Sequence, residues 1–506
     1  MRHAHSVEKV RAAEAELMAR LPEGALMQRA AAGLASVCAR LLDRVYGTRV
    51  LLLVGSGDNG GDALYAGARL ARRGARVTAA LASPRAHEEG LAALREAGGR
   101  VLSSARLQEP TSTDGGAAAA FAGTDLVIDG LTGIGGRGAL RGLYAALVRA
   151  LPEDAAVVAC DVPSGVDADT GEVEGEAVRA DVTVTFGTLK PGLLIDPGAA
   201  HAGVVELVDI GLDLPEPDVV AFATADVRLP RPLPESDKYR RGVVGILAGG
   251  SQFTGAAVLA VGGALHGGAG MVRFASSAPV VELVRRRWPE AVTTSLPSAL
   301  PSEEPSLEPV GRVQAWVVGP GLGVDSRARG LVHAALRSDV PVLVDADGLN
   351  VLAEMPSALR RGLLDRAAPT VLTPHAGELA RLLGADRSDV EARRLAHLRR
   401  AVDELGVTVL LKGSTTLVAS PGVHPVLANL TGTPWLATAG TGDVLSGLIG
   451  ALLATGLPAA EAAAHGAHLH GLAARLAAAP DPALSAAPIT AFDVLTALPA
   501  ALRHLP

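Results

Sequence analysis

Three segments of this 506-residue chain end a short apolar run on acidic or amide residues set among glycines. Val50–Val54 leads into Gly55-Ser56-Gly57-Asp58-Asn59-Gly60-Gly61-Asp62. Leu126–Ile128 leads into Asp129-Gly130-Leu131-Thr132-Gly133-Ile134-Gly135-Gly136-Arg137-Gly138. Val157–Ala159 leads into Cys160-Asp161-Val162-Pro163-Ser164-Gly165. Glycine lets backbone approach a ligand closely, and N–H groups at a helix start face an anion. A single acid after a strand is ordinarily a helix cap; three converging on one sheet edge favour a site. Asn59, Asp129 and Ser164 offer hard oxygens suited to an alkali or alkaline-earth ion, which leaves Asp161 for acid–base work. Lys190, in Thr185-Phe186-Gly187-Thr188-Leu189-Lys190, also follows an apolar run. Only four of the 46 basic residues are lysines, so a retained lysine hints that a compact ammonium is wanted there.

The second half carries a different set. Gly249-Gly250-Ser251 precedes a helical segment containing Ala256, and Val317-Val318 runs into Gly319-Pro320-Gly321-Leu322-Gly323. Thr373-Pro374-His375-Ala376-Gly377-Glu378 places His and Glu at a strand–helix junction. Leu410-Leu411 ends on Lys412-Gly413-Ser414-Thr415-Thr416, where a point cation beside hydroxyls reads as a phosphate contact. Gly440-Thr441-Gly442-Asp443 enters an apolar helix with a carboxylate in its first turn. Helix N–H groups there can hold phosphate oxygens while Asp443 serves as base toward a hydroxyl. Gly440, Gly442 and Asp443 combine with Lys412 and Asn429 in this reading.

These residues need strand ends to hold them. Continuous apolar runs such as Val50–Val54 and Val243–Leu247 suit strands buried on both faces of a parallel sheet. Further runs at 77–81, 182–186, 204–208, 315–318, 340–344, 370–372 and 407–411 alternate with helical segments, one of them from about Ala63 to Arg73. The fold class is therefore α/β, in two domains. Residues 1–45 read as helices, and the stretches 111–120, 297–309 and 478–488 as loops. A Pro-rich, acidic segment at 211–234 marks the boundary, giving domains 1–215 and 216–506. The net charge of −7 argues against a general nucleic-acid binder. Two cysteines rule out a disulfide framework and fit a reducing compartment. No run of 18 apolar residues and no secretory h-region appear, so neither a membrane span nor secretion is expected and the cytoplasm is the expected location.

The first three motifs resemble the NAD(P)H-hydrate epimerase family across nearly all of residues 10–215. The resemblance implies a Rossmann-like αβα sandwich. It implies that Asp58, Asn59, Gly60, Gly61 and Asp62, with Gly133, Ile134, Gly135, Gly136, Arg137, Gly138 and Ala139, bind a hydrated nicotinamide nucleotide. Asp161 would bind it and act as acid–base catalyst, and potassium would sit on Asn59, Asp129 and Ser164. Asp58 stands where that family usually has Asn, and Ala63 where it usually has Gly.

The second set resembles the NAD(P)H-hydrate dehydratases of the ribokinase-like superfamily over about 225–500. That resemblance implies contacts to the hydrate from Ala256, Gly321, Gly323, His375 and Asp443. Lys412, Gly413, Ser414, Thr415 and Thr416, with Asn429, Gly440, Thr441 and Gly442, would hold ADP with Mg2+, and Asp443 would be the base. Together the halves imply a bifunctional repair enzyme for NADHX and NADPHX, the hydrates of NADH and NADPH. Small molecules are its expected partners, without nucleic acid or membrane, and a homo-oligomer is expected from family habit. The alternative is a ribokinase-like small-molecule kinase fused to a non-catalytic nucleotide-binding domain.

Overall fold

The computed structural model describes residues 1–108, 121–297, 305–481 and 485–506. The expected loop at 111–120 lies outside the described residues, as do parts of the other two. Two compact units emerge: His3–Val219, and Val220–Pro506 together with Met1–Arg2.

In the first unit a seven-stranded sheet runs in the order Arg100–Leu102, Arg76–Leu81, Arg49–Val54, Leu126–Gly130, Ala156–Cys160, Val182–Phe186, Val204–Val208. Every adjacent pair is parallel. The apolar run 50–54 is continuous because alternate residues serve two cores. Val50, Leu52 and Val54 pack in one cluster, while Leu51 and Leu53 pack in the other. The helices Ala25–Leu41 and Asp58–Arg72 supply much of the first cluster.

Two local expectations change. Residues 1–45 are not all helical, since Arg2–Ala4 is a strand ahead of the helices Val7–Met18 and Ala25–Leu41. The helix after the first glycine-rich turn starts at Asp58, not near Ala63, with extended Gly57 as its N-cap. Asn59, Gly60 and Gly61 are poor helix formers, but burial of the following Ala63, Leu64 and Ala66 carries the helix back through them.

The second unit is built on a sheet with the order Arg2–Ala4, Val219–Ala221, Val423–Asn429, Thr416–Ser420, Thr408–Leu411, Thr370–Leu372, Val342–Val344, Ala315–Val318, Val243–Leu247, Met271–Ser276, Val292–Ser295. Pairing is parallel from Thr408–Leu411 through Val292–Ser295, and antiparallel where Thr416–Ser420 meets its two neighbours. The helices Thr254–His266 and Thr441–Ala454 lie in the main core of this unit. Ligand sites in such sheets form beyond the carboxyl ends of the strands, which is where both motif sets fall.

Candidate functional sites

In the first unit, strand Ala156–Cys160 delivers Asp161 to the sheet edge with a backbone φ of +66°. A non-glycine residue there is uncommon and marks functional strain. Its Oδ1 accepts from Lys190 Nζ at 2.5 Å, Thr185 Oγ1 at 3.0 Å and Phe186 N at 3.2 Å. Lys190 is 1% exposed, and its ammonium also donates to Thr185 Oγ1 and the Phe186 carbonyl, both at 3.0 Å. The scarce lysine is thus a buried partner of the candidate catalyst.

A cavity of about 750 Å³ opens beside this pair, lined by Asp58, Asn59, Asp62, Ile134, Asp161 and Glu14 among others. Burial first, then the charge of Asp161, pushes the Glu14 carboxyl above its ordinary range. Gly136, Arg137, Gly138 and Ala139 line a second cavity of about 470 Å³ with Arg141 and Tyr144. Gly133 lies against the Asn59 side chain: a Cβ there would sit 2.4 Å from Asn59 Oδ1. Of the motif residues, Asp58, Asn59, Asp62 and Ile134 line the first cavity and Gly136–Ala139 the second, whereas Gly60, Gly61, Gly133 and Gly135 line neither.

Asp129 is fully buried. It accepts from Ser164 N at 2.8 Å, Ser164 Oγ at 2.7 Å and Leu131 N at 3.2 Å. Burial pushes its carboxyl up to about 6, against the opposing pull of the Ser164 hydrogen bonds. The Thr132 backbone joins the group, donating from N to Ser164 Oγ at 2.9 Å and accepting from Asn59 Nδ2 at 3.1 Å. Asn59, Asp129 and Ser164 are thereby gathered around one strand end.

In the second unit the helix Thr441–Ala454 starts from Gly440, whose φ of +88° suits glycine. Asp443 stands in its first turn. Burial first, then Asp345, pushes its carboxyl up to about 7. Lys412 Nζ donates to Asp345 Oδ1 at 2.8 Å and lies 3.7 Å from Glu378 Oε2. Burial alone would lower its pKa, but Asp345 and Glu378 outweigh that and hold the ammonium above its ordinary range. Ser446 Oγ donates to the other Asp345 oxygen at 2.6 Å. A Cβ on Gly442 would be 3.6 Å from Lys412 Nζ, so the helix start and the lysine share one space.

His375 caps the helix Ala376–Leu383, its Nδ1 accepting from Gly377 N at 3.0 Å and Glu378 N at 3.2 Å. Glu378 Oε2 accepts from His375 N at 2.8 Å, closing a capping box. Burial holds the imidazole pKa below its ordinary value, so the neutral ring carries its proton on Nε2. Gly321 abuts Ala256, a Cβ on it falling 2.8 Å from that of Ala256. Gly323 N donates to Asp347 Oδ2 at 2.9 Å.

The loop Lys412–Thr416 wraps a buried guanidinium. Arg394 Nη2 donates to the carbonyls of Leu411, Lys412 and Thr415 at 3.4, 3.1 and 3.2 Å. Thr415 and Thr416 are buried there, and Gly413 lies against the same guanidinium. Thr441 Oγ1 donates to the Leu436 and Thr438 carbonyls, at 2.9 and 3.0 Å. Asn429 does not reach into the site by its side chain. Its Nδ2 donates to the Ala467 carbonyl at 3.1 Å and its Oδ1 accepts from Thr431 N and Oγ1.

Glu14, Asp345, Ser446 and Arg394 are neighbours of the candidate sites that the sequence reading passed over. Asp345 carried the same signal as Asp129 and Asp161, an acid directly after an apolar run. Ala346, with φ +50°, stands between Asp345 and Asp347.

The family described as NAD(P)H-hydrate dehydratase matches residues 244–496, and the YjeF-related protein N-terminus matches residues 23–192. The bifunctional NAD(P)H-hydrate repair enzyme of Mycobacterium leprae is 48% identical over 513 residues, covering 100% of both chains. That of Mycobacterium tuberculosis strain H37Rv is 50% identical over 472 residues, covering 92% of each. An ADP/ATP-dependent NAD(P)H-hydrate dehydratase from Bacillus subtilis, co-crystallised with ATP/Mg2+, is 31% identical with a TM-score of 0.48, covering 54% of this chain and 94% of its own. With both halves matched in order and near-half identity along the whole length, this chain belongs to the family of bifunctional NAD(P)H-hydrate repair enzymes.

Proposed function

We propose that the first unit interconverts the R and S forms of hydrated NADH and NADPH, and that the second dehydrates the S form at the expense of ADP. The observation that carries this is Asp443, held at a helix start beside the Lys412–Asp345–Ser446 group. Asp443 takes the proton of the C6 hydroxyl on the hydrated ring. That oxygen attacks the β-phosphorus of ADP, and AMP leaves. The C6–O bond then breaks with phosphate carrying the electron pair, and loss of a C5 proton restores the dihydropyridine. Hydroxide is a poor leaving group near neutral pH and phosphate a good one, so transfer of the phosphoryl group lowers the barrier.

Lys412 and the N–H groups at the start of helix Thr441–Ala454 receive the phosphates. His375 offers Nε2–H to the hydrate. Magnesium bound with the nucleotide would neutralise charge on its phosphates. Among the described residues no group of three or more His, Cys, Asp or Glu side chains is placed to hold a metal ion.

For the first unit, Asn59, Asp129 and Ser164 each carry a side-chain oxygen, one of them on a buried carboxylate. That set fits potassium, which Asn59, Asp129 and Ser164 would hold and which would fix the strand-end loops electrostatically. We read the enzyme as cytoplasmic and as a homo-oligomer. No helix among the described residues is long and apolar enough to cross a membrane.

One assay tests the scheme: mixed epimers with ADP or ATP, followed by the absorbance of the restored reduced nucleotide. Both epimers should be consumed. Exchanging potassium for lithium should slow consumption of the R form only. A phosphorylated hydrate that persists, with no reduced nucleotide restored, would reassign the second unit as a kinase.

A further inference from the structure

One buried carboxylate in the Asp161 cavity, so far only an implied substrate contact, has no part in the proton transfers above. Asp62 lines the same cavity and is 7% exposed. Its Oδ1 is buried without a hydrogen-bond partner among the described residues. Asp161 is treated in the opposite way, with three donors on one oxygen, among them the Lys190 ammonium. A buried carboxylate without a donor or a cation is stable only when protonated. Burial first, then the charges of Asp161, Asp58 and Glu14, raise the Asp62 carboxyl well above its usual range. Two carboxyls in one cavity, one held by an ammonium and one with a buried oxygen that lacks a donor, are placed as a base and an acid.

We propose that Asp62 is the second catalytic group of the epimerase unit, the proton donor that works with Asp161 as base. This rests on the epimerase reading and deepens it. Inversion at C6 requires the C6–O bond to break and re-form on the other face. Asp62 gives its proton to the C6 hydroxyl, and the C6–O bond breaks with the electron pair leaving on water. The ring nitrogen lone pair forms an N1=C6 double bond. A water then adds to the other face of C6, N1 recovers its pair, and the proton shed by that water passes to Asp161. One hydroxyl is replaced by another of opposite hand, one proton has moved from Asp62 to Asp161, and the ring keeps its oxidation state. The opposite epimer runs the same steps with the two carboxyls exchanging roles. A proton on the carboxyl whose Oδ1 is buried without a donor, and an ammonium beside the other, are what this sequence demands.

The test uses the full chain with pure R hydrate in 18O-water and no ADP, with the S form resolved by chromatography. Each inverted product should carry one solvent oxygen, and Asp62→Asn should lower kcat about 100-fold or more with KM unchanged within about threefold. An inverted product that keeps its original oxygen overturns the proposal, and so does an Asp62→Asn variant retaining more than a third of wild-type kcat. Asn replaces a neutral carboxyl by a neutral amide of nearly the same shape, so the unit should unfold at about the same temperature. Should it unfold lower, Asp62→Ala with added formate decides. Restored turnover supports the proton-donor role, and none overturns it. The parent chain and Asp161→Asn together separate the two levels of the argument. If the parent chain itself forms no S hydrate above the uncatalysed rate, the epimerase reading fails; if Asp161→Asn is dead while Asp62→Asn is active, only the assignment of Asp62 fails.

Discussion

As the proposed base, Asp443 must be ionised to accept a proton, yet burial and its acidic neighbours push its carboxyl up to about 7. The ionised fraction therefore falls as pH drops through that value. The kcat/KM for the S hydrate should lose about tenfold per pH unit below 7, and a profile flat down to pH 5 would remove Asp443 as the base. Asp443→Asn should abolish dehydration while leaving ADP affinity within about tenfold, since only the base is lost; titration of the variant with ADP reads this directly. Lys190 invites a second substitution. Breaking a buried ion pair by removing one partner costs about 3–5 kcal/mol, so Lys190→Met should lower the melting temperature of the first unit and depress epimerisation. A Lys190→Met variant as stable as the parent would mean that the contact with Asp161 carries no energy. The positions of the candidates Asp129, Asp161 and Asp443 at strand ends and a helix start were legible because each follows an apolar run or opens an apolar helix, a local pattern. Glu14 was not, because nothing near it in sequence announces that its helix lines the Asp161 cavity. Arg394 was hidden for a similar reason: its three carbonyl partners lie 17 to 21 residues away.

Helix Thr441–Ala454 owes its position to a close crossing with helix Thr254–His266. A Cβ on Gly447 would sit 1.9 Å from the Ala260 carbonyl oxygen, and one on Gly263 would sit 2.3 Å from that of Val444. Glycine on both sides brings two backbones together, and that contact fixes where Asp443 and Ala256 stand relative to one another. Gly447→Ala should destabilise the second unit by about 1–3 kcal/mol or more, read by thermal unfolding, with dehydration falling while epimerisation is unaffected. An Ala variant with unchanged melting and turnover would show that the crossing is not tight. Buried parallel strands were readable because both faces of the sheet are covered, so runs such as 50–54 and 243–247 contain no polar residue. The antiparallel pair Thr416–Ser420 and Val423–Asn429 was not, since polar Thr416 and Ser420 bound the first apolar run and Pro425 interrupts the second strand. That omission is also why Asn429 was drawn into the nucleotide site: as the last residue of a strand its side chain is taken up by helix Ala459–Ala478 and by Thr431.

Both sets of residues lie on one polypeptide, so every molecule that dehydrates the S hydrate also carries the means to supply it from the R hydrate. The kinetic consequence can be measured on a mixture of epimers with excess ADP. Wild-type enzyme should consume all of it in one phase, whereas Asp161→Asn should consume the S share and then stall at the uncatalysed rate of inversion. Complete consumption by that variant at the parental rate would show that inversion does not need Asp161. The two-domain organisation was legible from the Pro-rich stretch at 211–234 and from the restart of strand–helix alternation at Val243. The assignment of Met1–Arg2 to the second unit was not, because a three-residue edge strand has too little pattern to be read. The sealed amine of Lys190 has a practical consequence. Of the four lysines, Lys238 is exposed and Lys9 and Lys412 are partly so, whereas Lys190 is closed to solvent. An acylating reagent applied to the native chain should leave that nitrogen untouched, and its labelling in a peptide digest becomes a clock for transient opening of the first unit.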